Sequence, residues 1–80
     1  MAHFTNEFGQ HATVEKIDEK LIIRWELEKK SINMIYPKGN RYNRMHIYDD
    51  KHGIEQTHTI RTSKREYDFW MNIYEQGKED

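Results

Sequence analysis

The chain contains no cysteine. That absence excludes a disulfide framework, a thiolate nucleophile and any cysteine-ligated zinc or iron-sulfur site, so stability has to come from packing. Proline occurs once, at Pro37, and the four glycines, Gly9, Gly39, Gly53 and Gly77, are isolated. No glycine-rich phosphate loop can be built from them, and no linker or internal repeat is visible. No stretch approaches the ~20 apolar residues of a membrane-spanning helix. The opening MAHFTNEFGQ lacks the basic segment and apolar run of a secretory signal, so a soluble, cytoplasmic protein is expected.

Catalytic patterns are also missing. Ser31 and Ser63 fall in turn and cap contexts without a nucleophile elbow. The adjacent carboxylates Asp49 and Asp50 sit where turn formers are wanted. The expectation is a protein that is not an enzyme, with no cofactor and no metal.

What remains is a small chain rich in rings and charge. Its 80 residues make one domain, with 35% hydrophobic and 34% charged residues and a net charge of -1. Two Trp, five Tyr and three Phe compensate for the low apolar fraction, because each ring can bury ~150 to 250 Å². Charge is unevenly placed. Residues 37–65 hold seven basic and three acidic side chains, whereas 66–80 hold one and five. Such asymmetry can mark a nucleic-acid face beside an acidic tail.

Alternation predicts the elements. Residues 1–11 show no clear period and read as a frayed end or a strap across the core. Strands are expected at 14–17, 21–28, 31–36, 42–48 and 54–61, with antiparallel strands filling 12–61. Leu21, Ile23, Trp25 and Leu27 share one strand face, although Val14, Ile17, Leu21 and Trp25 would also make a helical stripe. Asp49 to Gly53 reads as a hairpin turn. Thr62 or Ser63 caps a helix over 64–76, with Glu66 placed for a capping box and Tyr67, Trp70, Met71 and Tyr74 as its apolar stripe. Residues 77–80 form a tail. The fold class is α+β: an antiparallel sheet of about five strands in meander order, followed by an amphipathic helix packed on one face.

Chaining hairpin registers converts spacing into faces. With two residues at Lys29 and Lys30 and three at each of Pro37–Gly39 and Lys51–Gly53, Leu21, Ile23, Trp25, Leu27, Ile32, Met34, Tyr36 and Tyr42 point under the helix. The same chain of pairings puts Arg44, His46, Tyr48, Gln56, His58 and Ile60 on that side and sets His46 against His58. Two opposed imidazoles do not make a zinc site without further ligands, so a structural pair at the core margin is expected. Ile35, Met45 and Ile47 then form a small exposed apolar patch on the other face.

Two functional expectations follow. The first in rank is a small interaction or regulatory module that binds a protein partner, through Ile35, Met45 and Ile47. The second is nucleic-acid binding by the basic and aromatic region 36–65, through Lys38, Arg41, Arg44, Tyr48, Lys51, Arg61, Lys64 and Arg65. The composition, cysteine-free and containing Lys, Ile, Asn and Tyr, suits a bacterial or bacteriophage accessory protein.

Overall fold

The computed structural model describes residues 1–38, 42–49 and 51–77. Six strands pair antiparallel in sequence order: β1 (Ala2–Thr5), β2 (His11–Ile17), β3 (Lys20–Glu26), β4 (Lys30–Pro37), β5 (Tyr42–Asp49) and β6 (Ile54–Arg61). Helix α1 (Lys64–Gly77) follows after a two-residue link. Alternation is therefore the right period between Val14 and Glu26, and the competing helical stripe does not form. The extra strand comes from residues 1–11. Ala2 pairs with Val14 and Phe4 with Ala12, so this segment is a strand and turn rather than a frayed end. Asn6 closes that turn by accepting the Phe8 and Gln10 amides on its side-chain oxygen, both at 2.9 Å.

The register places two full rows on one side of the sheet. Ala2, Val14, Ile23, Met34, Met45 and His58 are opposed in turn across all six strands, and Phe4, Ala12, Trp25, Ile32, Ile47 and Gln56 form the next row. Helix α1 packs on this side, mainly over β1, β2 and β3. Alanines at positions 2 and 12 leave room there for the bulky helix stripe. Ala2, Ala12, Val14, Leu21, Ile23, Tyr36 and Trp70 are the buried core, with Tyr67, Met71, Ile73 and Tyr74 packed against it. Ser63 caps the helix, its Oγ accepting the Glu66 amide at 3.2 Å.

An aromatic cluster joins helix to sheet. Phe4 meets Trp25, Phe69 and Trp70 at centroid distances of 6.0, 5.5 and 5.3 Å, each near perpendicular. Edge-to-face geometry aligns positive ring edges with negative ring faces and adds to simple area burial.

Tyr36 is 2% exposed, and burial pushes its phenol from 10.0 up to about 12, reinforced by the Glu66 carboxylate and opposed by a hydrogen bond with Trp70. Because the folded value lies above the unfolded one, this contribution is complete below pH 10 and is lost as pH rises toward 12. The shift corresponds to about 2–3 kcal/mol. Urea midpoints at ~pH 9 and ~pH 11.5 should therefore differ more for the wild type than for Tyr36→Phe, which has no phenol to ionise. Equal differences would remove Tyr36 as a source of alkaline sensitivity.

Candidate functional site: the helix-free face of the sheet

Two loops differ from the expected lengths, and each difference moves the register by an odd number of residues. Ile35 opposes Arg44 across β4 and β5, and Asp49 opposes Ile54 across β5 and β6. Asp49 organises the second loop. Its Oδ1 accepts the Lys51 and His52 amides at 3.0 and 3.3 Å, while its backbone oxygen accepts the Gly53 amide at 2.9 Å. Gly53 takes φ +64°, as this turn requires. A hydrogen bond from His52 holds the Asp49 carboxyl below its usual 3.8.

An odd shift turns β5 over, and several expectations are corrected by it. His46 and His58 lie on opposite sides of the sheet: His46 opposes Thr57, and His58 opposes Met45. They cannot share a ligand or form a pair. His46 Nε2 instead lies 3.9 Å from Glu55, and His58 Nε2 lies 3.2 Å from Gln56 Oε1. Met45 and Ile47 belong to the helix-bearing side, whereas Ile35 is on the other, so these three do not form one patch. Tyr42, expected under the helix, is 53% exposed on the helix-free side. Its neighbour Asn43 is buried on the helix-bearing side instead, and its amide donates to Thr62 Oγ1 and ties β5 to the start of the helix.

The helix-free side therefore carries every second residue of YNRMHIY: Tyr42, Arg44, His46 and Tyr48. At a strand rise of 3.3 Å per residue, the two tyrosines stand about 20 Å apart with two nitrogen-rich side chains between them. Opposite this row on β6 are Arg61, Thr59, Thr57 and Glu55, in that order. On β4 the neighbours of Arg44, His46 and Tyr48 are Ile35, Asn33 and Ser31. Arg24 of β3 extends the polar surface, its Nε donating to Asn33 Oδ1 at 3.2 Å.

The row is electrically polarised. At the Tyr42 end an open cleft of about 300 Å³ is lined by Lys20, Ile35, Pro37, Tyr42, Arg44 and Thr59, with Arg61 opposite Tyr42. No carboxylate is among the described lining residues. Glu55 faces Tyr48 at the other end. A cleft with a ring, a proline, an aliphatic side chain and two cations offers flat stacking surface beside anion-binding groups.

Of the other basic candidates, Lys38, Lys51, Lys64 and Arg65 do not join this cluster. Lys38 is 3.6 Å from Glu19, Lys51 lies in the β5–β6 turn, and Lys64 pairs with Asp68 at 3.4 Å on the first turns of α1 beside Arg65. Arg41 lies outside the described residues. Tyr42, like Arg44, His46 and Tyr48, was expected on the helix-bearing side, while Lys20 and Arg24 carry no candidate role in the sequence. The signal for Tyr42 was present, since Met45 and Ile47 claim the apolar side of β5 as strongly as the tyrosines do.

Among the described residues no three His, Asp or Glu side chains converge to hold a metal ion. No helix among the described residues is long and apolar enough to cross a membrane. No family model, curated protein or solved structure matches the chain.

Proposed function

We propose that this protein is a non-enzymatic module that binds single-stranded nucleic acid across the helix-free face of its sheet. The observation supporting it is the alternating row Tyr42, Arg44, His46 and Tyr48 leading into the cationic cleft at Lys20 and Arg44, with Arg61 opposite Tyr42 on β6. Bases present π-faces that stack on exposed rings irrespective of sequence, and phosphates follow guanidinium and ammonium groups. An open sheet face suits splayed, unpaired bases, whereas duplex recognition calls for an element that enters a groove.

Titration of labelled single-stranded and duplex oligonucleotides by fluorescence anisotropy tests the reading. If Lys20, Arg44 and Arg61 each displace one counterion, the slope is about -2, so affinity falls some 15- to 20-fold between about 50 and 200 mM salt. Single strands are expected to bind tighter than duplex. Absence of binding to either at low salt would overturn the proposal.

A second reading, a protein-binding regulatory module, is supported by a different surface. Met45 and Ile47 are half-buried on the helix-bearing side, and Ile54 and Ile60 are 48% and 38% exposed there, beyond the strands that α1 mainly covers. Binding to a protein that is abolished by Ile60→Lys and indifferent to Tyr42→Ala would favour it.

A further inference from the structure

The two edges of the sheet differ. β1 has four residues and lies under the helix, while β6 has eight residues, all exposed, and pairs only with β5. Natural edge strands are commonly protected by lysine, proline, a bulge or shortness. IEQTHTIR contains no lysine and no proline, and its pairing with β5 runs without interruption from Ile54 to Arg61.

We infer that β6 pairs antiparallel with β6 of a second copy of this chain, about a two-fold axis through Thr57, joining two six-stranded sheets into one. The strand is self-complementary in this register. On the helix-bearing side Ile54 opposes the partner's Ile60, and Gln56 opposes the partner's His58. On the helix-free side Thr57 opposes its own copy and Glu55 opposes the partner's Thr59. Glu55 also lies on the diagonal to the partner's Arg61, at about 7–8 Å, within reach of long side chains. Every pair is therefore apolar with apolar, polar with polar, or acid near base.

The neighbouring even register, with the axis through His58, places that imidazole against its own copy and sets Ile60 against the partner's Gln56. It loses the direct isoleucine pairs. Odd registers would oppose residues from different faces and are excluded by the pleat. In the register through Thr57, both helices remain on one side and both Tyr42 rows on the other. Four isoleucines, two from each copy, gain cross-strand apolar contacts. The inference is independent of nucleic-acid binding, because it rests on the edge and not on the face.

A single introduced cysteine reports the register, since the chain has none of its own. Directly opposed residues have Cα atoms about 4.5–5.5 Å apart, which falls inside the range for a disulfide. Thr57→Cys should form a covalent dimer under mild oxidation, seen by non-reducing electrophoresis. Glu55→Cys, four residues out of register with its own copy, should cross-link at least tenfold more slowly. Light scattering of the unmodified chain should rise from 9.8 kDa toward twice that mass between about 10 μM and 1 mM, as expected for a small interface. Thr57→Lys, with an unchanged circular dichroism spectrum, should stay at the lower mass. A wild-type mass fixed at 9.8 kDa, equal cross-linking of the two cysteine variants, or a dimer unaffected by Thr57→Lys would each overturn the inference.

Discussion

Replacing Tyr42 and Tyr48 together by alanine should weaken single-strand binding by about 30- to 20,000-fold, because each base-ring stack removed costs about 1–3 kcal/mol. The fold should survive. Both rings are exposed, at 53% and 37%, on the side of the sheet away from the helix, and neither belongs to the buried core. Thermal unfolding should therefore change little while anisotropy titrations lose most of their amplitude at a fixed protein concentration. The single variants should divide the loss unequally. Tyr42 stands in the cationic cleft, where stacking and phosphate contact are made together, whereas Tyr48 faces Glu55. Tyr42→Ala is thus expected to be the more damaging. Equal affinity of the double variant and the wild type would mean that the rings do not contact bases.

Trp70→Ala should have the largest effect on stability, about 3–5 kcal/mol. Trp70 is the only helix residue in the buried core, and its indole contacts Phe4, Trp25 and Phe69 at 5.3, 6.0 and 5.0 Å. The same side chain shares a hydrogen bond with Tyr36, so removing it also alters a buried phenol. A loss of this size is a large fraction of the 5–15 kcal/mol that holds a typical domain together. Denaturant unfolding should show a much lower midpoint, and near-ultraviolet circular dichroism should lose the signal of the packed rings. An unfolding free energy lowered by less than ~1 kcal/mol would show that α1 is not what holds the core of β1 to β3 in place.

The fold was legible where alternation and capping act locally. Strict period-two patterning in LIIRWE and the serine cap before KREYDFWMNIYEQG sufficed for β3 and α1, and Tyr67, Trp70, Met71 and Tyr74 do face the core. The shift of the β3–β4 turn to Glu28 and Lys29, closed by the Leu27 amide on the Lys30 carbonyl at 3.0 Å, moved the register by two and left every face unchanged. Strand β1 was hidden because AHFT is too short to show a period, and alanine under a helix carries no strand signal.

The candidate site was less legible, for a reason that can be located. The faces of β5 depend on loop lengths on both of its sides, and one residue in either reverses them. Asp49 accepts backbone donors two and three positions ahead, which suits a longer loop than glycine at position 53 suggests on its own. Within β5 itself, Tyr42 and Tyr48 compete with Met45 and Ile47 for the inner side, and the buried Asn43 weakens the winning row. The two register changes cancel for β6, so Gln56, His58 and Ile60 are on the expected side while their β5 neighbours are reversed. That reversal gathers Tyr42, Arg44, His46, Tyr48 and Arg61 on one face.

The most direct measurement is side-chain NMR of the labelled protein titrated with a single-stranded oligonucleotide of ~12 bases, within the range that one small module covers. The ring signals of Tyr42 and Tyr48 and the guanidinium of Arg44 should move together and saturate together, while the methyl groups of Met45, Ile47 and Ile60 on the opposite side stay nearly still. Fixed tyrosine signals at saturating oligonucleotide, or largest changes among those methyl groups, would contradict it.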